Sequence, residues 1–491
     1  MTRALGAALA ALLLSGAVPF DAKPTGDLGS YVVSVANRTV HPKTVRLAPP
    51  GSEGRPVTIG RYSQVRYIVS CVEGGAVPPP ALEMTLDREK TEVAVPAVKF
   101  DGRPPVLWIS TETMGRGALE RVIRGVEEDM RVRHVSPEQV PAHFSALRYA
   151  PMVVMSLLDW TGLAPPVRKV IRDAVAAGVV LVITTGQEGG DPATLNGVAK
   201  VDIGALVQAE PSLRASLPRV AVRRMLSPRE GGLTRARAGQ GPVIVDSPLG
   251  LGVVRIIGTS LVDLDRGPFA EAVFTVDQEA LGQALRWAGN GPPPPEGDRT
   301  PWGIQVWGLL AILLATVIVT RRRPLVFLAA LGVWIIGAAF VAPDAGGERV
   351  DAARVIFVPF DGGAVAVGTL DLTWARGGTR PLPVVEGVAA IDAAPLGSAC
   401  SYSQQDHSAW VMGGEPGARR RVVYVQIVDR TPAGEDKLDT LEPGGQGGLA
   451  GALLRRVSRD APLPLAQRPE TVDAVIVDRV SLVPRSPVIL Q

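Results

Sequence analysis

Two apolar runs, residues 302–320 and 325–342, are separated only by Arg321-Arg322-Arg323-Pro324, and neither contains a charged side chain. A helix rises 1.5 Å per residue and the hydrocarbon of a bilayer is about 30 Å thick, so each run has the length of one crossing. A soluble core helix of this length carries a polar face, and neither run does. The pair predicts a two-helix transmembrane hairpin over 302–342. Short arginine-rich loops stay on the cytoplasmic side, which makes Arg321, Arg322 and Arg323 the expected topology determinants. The flanks, with Glu296, Asp298 and Arg299 before and Asp344, Glu348, Arg349 and Asp351 after, are then placed outside. The expectation is a protein of the bacterial inner (cytoplasmic) membrane, partnered with the lipid bilayer through both helices, with both large domains extracytoplasmic.

The amino terminus points the same way. Arg3, the apolar stretch 4–14 and the small residues Ser15-Gly16-Ala17 read as a signal peptide over 1–22, cleaved after Ala17 or nearby. Heavy use of Ala, Gly, Pro and Arg with little Lys suggests a GC-rich bacterial genome. The 51 basic and 48 acidic residues leave a net charge of +3, and no basic stretch is interleaved with aromatics, which excludes a nucleic-acid role. The two cysteines, Cys71 and Cys400, fall in different predicted domains and are expected as separate buried thiols.

The remaining chain divides by pattern. Residues 23–100 alternate β-branched residues with Pro/Gly turn signals and read as a β-sandwich; Asn37-Arg38-Thr39 within them matches a glycosylation acceptor by chance. From 104 to 290 apolar strands alternate with amphipathic helices, the pattern of a parallel α/β domain covered on both faces. Val106-Leu107-Trp108-Ile109 is the first such strand, and Leu119, Val122, Ile123 and Val126 form one helical stripe. A second helix opens at Pro165-Pro166, buries Val167, Val170, Ile171, Ala174 and Val175, and closes at Gly178. A Pro-rich spacer (291–301) leads to the hairpin (302–320 and 325–342), and residues 344–491 read as a β-rich extracytoplasmic domain with one amphipathic helix through Leu449, Leu453, Leu454 and Val457. The fold class is thus multidomain α/β plus β, with a flavodoxin-like α/β unit.

The strand ending at Ser156, the helix ending in "AVAAG" and the following "VVLVITTG" resemble the class I glutamine amidotransferase-like superfamily. The arrangement as a whole resembles bacterial two-pass envelope proteins from loci encoding MoxR-type ATPases and von Willebrand A domain proteins. That resemblance implies the fold without the activity. Where an active member places its cysteine in a strained turn, this chain has Thr184-Thr185-Gly186-Gln187-Glu188, and no cysteine lies between Cys71 and Cys400.

The weak ligand candidates are Thr184, Thr185 and Gly186, in a glycine-rich loop at a strand's carboxyl end, and Asp263 and Asp265 nearby, since open α/β sheets bind ligands at that edge. His41, His134, His143 and His407 are too scattered for a zinc site. No cofactor, metal or catalytic residue is expected. The function read from the sequence is a non-enzymatic, membrane-anchored envelope scaffold with membrane or periplasmic protein partners. The alternative is an envelope hydrolase or transferase, or a small-ligand sensor, using the crevice near Gly186.

Overall fold

The computed structural model describes residues 20–24, 30–48, 56–62, 64–71, 81–86, 89–94, 105–111, 116–126, 130–140, 144–147 and 150–289, the last with gaps at 187–188, 218, 240, 261–267 and 277–278. It further describes residues 314, 349–373, 378–384, 388–392, 399–403, 408–414, 419–440, 453–457, 461–463, 472–477 and 487–490.

Seven strands come first: β1 (Phe20–Pro24), β2 (Ser30–Ala36), β3 (Lys43–Ala48), β4 (Pro56–Ile59), β5 (Gln64–Cys71), β6 (Ala81–Leu86) and β7 (Glu89–Ala94). The α/β region follows with β8 (Pro105–Ile109), α1 (Arg116–Val126), β9 (Arg131–Val135), α2 (Phe144–Leu147), β10 (Met152–Ser156), α3 (Leu157–Gly162), α4 (Pro165–Ala176) and β11 (Val180–Thr184). It continues through β12 (Val201–Gln208), α5 (Pro211–Ser216), β13 (Val222–Pro228), β14 (Leu233–Ala238), β15 (Gly241–Leu249), β16 (Gly252–Ile257), α6 (Pro268–Phe274) and α7 (Glu279–Gly289). The elements described in the last part are strands: β17 (Arg349–Phe360), β18 (Gly363–Thr373), β19 (Gly378–Val384), β20 (Val388–Asp392), β21 (Ala399–Ser403), β22 (Ser408–Gly414), β23 (Arg419–Val428), β24 (Gly434–Thr440), β25 (Leu453–Val457), β26 (Val472–Val477) and β27 (Val488–Leu490).

The central sheet has eight strands in the order β27-β14-β15-β16-β11-β10-β8-β9. Five of them, β9, β8, β10, β11 and β16, run parallel. Their chain order across the sheet is second, first, third, fourth, fifth, which puts the reversal of winding between β8 and β10. The pleat sorts each strand's residues between two cores. Leu107, Ile109, Val153, Met155, Leu181, Ile183, Val254 and Ile256 belong to one, and Val106, Trp108, Met152, Val154, Val180, Val182 and Ile257 to the other. Both faces are apolar because both are covered. The α1 stripe Leu119, Val122 and Ile123 lies in the second core. Ile171, Ala174 and Val175 of α4 lie in the first, with Val167 and Val170 packed at its margin. Proline opens α4, and Gly178 ends it at φ +113° beside Leu281 of α7, a backbone conformation that a side chain would strain.

A second sheet covers the far side of α4 and α7. It has seven strands, β20-β23-β18-β17-β26-β25-β24, and Ile356, Val358, Val365, Val367, Val425, Ile427 and Val477 join the same core as α4 and α7. Two sheets therefore enclose one helical layer. Arg354 lies over the Trp287 ring of α7 at 4.1 Å, and Arg172 of α4 over Phe360 at 5.9 Å.

The two ends of the chain share one sheet. A six-stranded sheet runs β1-β2-β5-β21-β22-β19, and a four-stranded one β4-β3-β6-β7. The strand β1 begins at Phe20, within the 1–22 segment read as a leader; residues 1–19 lie outside the described residues. Residues 453–457, expected in a helix, form β25, because they pair with both β26 and β24.

The expected fold class and membrane placement need correction. Among the described residues the fold is mostly strand with few helices, and no helix is long and apolar enough to cross a membrane. The longest described helix, α4, has 12 residues, about 18 Å at 1.5 Å per residue against the roughly 30 Å required. The runs 302–320 and 325–342, with Arg321, Arg322 and Arg323, lie outside the described residues apart from Leu314. The two-helix transmembrane hairpin thus has no structural support. The bilayer partnership, the inner-membrane location and the extracytoplasmic placement that rested on it are withdrawn with it.

Candidate functional site

Parallel strands present their carboxyl ends along one edge, where ligands of such sheets bind. Here β8 ends at Ser110 and Thr111, β10 at Ser156, β11 at Thr184 and Thr185, and β16 at Gly258, Thr259 and Ser260.

At the point where the winding reverses, between β8 and β10, stands Asp159 in the first turn of α3. Ser156 caps that helix: its Oγ accepts from Asp159 N at 3.0 Å and donates to Asp159 Oδ2 at 2.6 Å. Asp159 Oδ1 accepts from Thr111 N at 3.3 Å and, at 3.4 Å each, from the hydroxyls of Ser110 and Thr111. One carboxylate thereby gathers the hydroxyls of Ser110, Thr111 and Ser156 around it. His134 on β9 contacts the carbonyl of Ser110 at 2.9 Å rather than its hydroxyl, and stands edge-on to Trp108 at 5.3 Å. The sequence contains this cluster only as scattered Ser, Thr and Asp; a helix-capping serine three residues before an aspartate was its one local signal.

The sequence-predicted candidates lie one strand further on and are held tightly. Thr185 is 1 % exposed; its N and its Oγ1 both donate to Ile257 O at 2.9 Å. Thr184 is buried as well. A Cβ at Gly186 would lie 2.3 Å from Ser260 N and from the carbonyl carbon of Thr259, so this glycine permits a backbone-to-backbone contact rather than lining a space. The loop that joins β11 and β16 in this way leads into residues 187–188 and 261–267, so Asp263 and Asp265 lie outside the described residues.

A ribbon unforeseen in the sequence covers part of the same edge. Among the described residues the strands β12 and β13 form a two-stranded sheet of their own, and β13 is bound to the carboxyl ends of β11 and β16. Arg224 N donates to Gly258 O at 2.8 Å, and Arg224 Nε donates to Thr185 O at 3.2 Å. Behind β13, the buried Arg223 makes a two-pronged ion pair with Glu210, Nε to Oε2 at 2.7 Å and Nη2 to Oε1. That guanidinium holds the Glu210 carboxyl below its ordinary pKa.

A second ionic group lies inside the sheet. Arg255 of β16, fully buried, grips Asp246 of β15 through Nε to Oδ1 at 2.8 Å and Nη2 to Oδ2 at 3.0 Å. Its Nη1 donates to Thr275 O at 3.0 Å beyond the end of α6, and Arg235 adds a contact to Asp246 at 3.2 Å. An arginine within the apolar run 252–257 was the available sequence signal; its partner left none. The geometry is that of a tie between sheet and helix.

Chemically, the edge supplies hydroxyls and one carboxylate, and the Asp159 carboxylate accepts from those of Ser110, Thr111 and Ser156. Among the described residues no group of three or more His, Cys, Asp or Glu side chains is placed to hold a metal. Both cysteines belong to the six-stranded sheet. Thr259 Oγ1, buried beside Gly186, has no hydrogen-bond partner.

No protein-family model matches the chain, and no curated protein matches it. Among solved structures, a Salmonella typhimurium LT2 protein described as cytoplasmic is 15 % identical, with a TM-score of 0.26, covering 35 % of this chain and 93 % of its own. A second Salmonella typhimurium protein so described is 10 % identical, at a TM-score of 0.23, over 34 % and 95 %. An exo-β-1,4-mannosidase from an Opitutaceae bacterium is 13 % identical, at 0.22, over 33 % and 32 %. Similarity at these scores carries no argument about fold or function.

Proposed function

We propose that the protein is a non-enzymatic scaffold or interaction component of a larger assembly, of the MoxR/von Willebrand A type. The observation that carries this reading is the ribbon laid over the carboxyl ends of β11 and β16 in the central sheet. Where an α/β enzyme keeps an open crevice, this chain lays its own ribbon β12–β13 across β11 and β16 through Arg224. Acyl-transfer chemistry needs a nucleophile, a base and an orienting group in mutual reach; Asp159 and its hydroxyls satisfy one another instead. The resemblance to the amidotransferase superfamily fits the same reading, since fold persists where chemistry is lost.

The test compares two variants of the full chain in a deletion strain at matched abundance. Asp159→Asn and Thr185→Ala should complement as wild type does, and the tagged protein should co-purify with the MoxR-type ATPase or von Willebrand A protein of the same organism. Loss of complementation by either variant at normal abundance overturns the scaffold reading. It would favour the alternative of a small-ligand sensor or hydrolase at this edge, for which the unpartnered Thr259 hydroxyl is the supporting observation.

A further inference from the structure

The last strand of the chain sits in a groove built by residues far from it in sequence. β27 lies at one edge of the central sheet and pairs parallel with β14, Ala236 with Val488, Arg237 with Ile489 and Ala238 with Leu490. The strand before it, β26, belongs to the seven-stranded sheet instead. Two helices flank the groove, since β27 touches both α5 and α6. Val488 packs against the apolar cluster that contains Ala236 and Ala238 of β14, Leu213 of α5, and Phe269 and Val273 of α6. Ile489 is 67 % exposed, and Arg237 opposite it is exposed as well. A sheet edge that takes an extended chain end through main-chain pairing, with alternate side chains turned inward, has the geometry of strand addition.

We propose that the edge of β14 is a strand-acceptor site, and that copies of this chain join by exchanging their C-terminal strands across it. The groove already fits this segment. A strand arriving from a second copy makes the same three pairs and places the same Val488 against the same cluster, so no new contact is needed. The hold on the resident strand is slight: it is short, it lies at a chain end where opening costs little free energy, and its pairing is of the parallel kind, the less stable per residue. The arm that carries it is long enough to reach a neighbour. Ten residues, 478–487, separate the end of β26 at Val477 from the start of β27 at Val488, a reach of up to roughly 33–36 Å when extended. Pro484 and Pro487 lie in that arm and bias the residues before them to extended backbone.

A mutual exchange has two-fold symmetry and closes on itself, so it joins two copies and stops. The tether holds the resident strand at an effective concentration in roughly the millimolar range. Each strand therefore stays on its own chain in dilute solution and exchanges where copies are crowded together. The exchange involves copies of this chain alone and does not depend on the scaffold reading.

The experiment uses the full chain in two single variants, Arg237→Cys and Ile489→Cys. These positions are register partners and both are exposed, so neither change disturbs the core. The two proteins, differently tagged, are mixed at concentrations approaching that of the tether, treated with a short bismaleimide and digested for mass spectrometry. The expected product is a covalent dimer in which position 237 of one copy is linked to position 489 of the other, because neither variant carries both thiols. An excess of the synthetic peptide of residues 485–491 should suppress that dimer by occupying the groove. The double variant Arg237→Cys/Ile489→Cys, kept dilute, should give the same link within a monomer. If the double variant links internally and the mixed single variants do not link to each other, the strand is a fixed part of one chain and the proposal is wrong. If the mixed variants link but the peptide leaves the yield unchanged, the link reports collision rather than seating, and the proposal fails too. If even the double variant gives no link, β27 does not lie at β14 and the acceptor site is lost with it.

Discussion

At the scale of single residues, the polar groups that looked available in the sequence are mostly committed to internal bonds. Asn37 is one case: its Nδ2 donates to the carbonyls of His41, Ile59 and Gly60 at 2.8–3.2 Å, so it braces the β2–β3 connection against the end of β4 and is no acceptor for a glycan. Thr185 is another. As a buried residue hydrogen-bonded to Ile257, its change to Ala should cost about 0.5–1.5 kcal/mol, read as a shift in urea midpoint. Gly186→Ala should cost more, about 1–3 kcal/mol, because its Cβ meets the Thr259–Ser260 backbone, which is no flexible side chain. The largest single effect is expected at Arg255: Arg255→Met takes from the buried Asp246 its two-pronged partner and leaves it the Arg235 contact, at about 3 kcal/mol, measurable by the same denaturation. The Glu210–Arg223 pair gives a pH signature. Glu210 has a lowered pKa when folded, so its contribution is present above the ordinary glutamate pKa and fades as the pH falls through the folded value. Acid unfolding of Glu210→Gln should therefore lack that component, and its stability deficit relative to wild type should shrink as the pH drops below about 4.

At the scale of elements, what could be read from the sequence was what has a local cause. The strands β8, β10 and β11 are legible because a strand buried on both faces is a short unbroken apolar run. The helix α4 is legible because Pro165 opens it and Gly178 closes it. The ribbon β12–β13 was missed, since its residues are half-exposed and mixed in polarity, and its place is decided by Arg224 reaching strands that the sequence does not put beside it. Leu453–Val457 was misread because a Leu-Leu-x-x-Val spacing suits a helix as well as a strand, and only pairing with β26 resolves it. The short β27 belongs to the same class. It adds to the edge of β14 through Ala236, Arg237 and Ala238, guarding an edge that would otherwise lie open. Removing residues 487–491 should speed amide exchange at those three positions while leaving the distant strand β9 protected, a contrast that hydrogen-exchange mass spectrometry resolves.

At the scale of the whole molecule, continuity of the chain and continuity of structure diverge. The helical layer of α4 and α7 serves two sheets, one from the middle of the sequence and one from its end. The six-stranded sheet is built from both ends. A fragment ending at residue 300 would lose β19, β21 and β22 from β5, and the seven-stranded sheet from α7. It should aggregate or be rapidly proteolysed when made alone, and should regain solubility when residues 344–491 are produced with it; size-exclusion chromatography of the two preparations checks this. The partnership of β5 with β21 also has a consequence in time. At about 5–20 residues per second of synthesis, the outer edge of β5 leaves the ribosome roughly 15–65 s before its neighbour exists. Throughout that wait a bare strand edge is open to any other nascent chain, so a cell producing this protein must hold the edge with a chaperone or tolerate its misassembly.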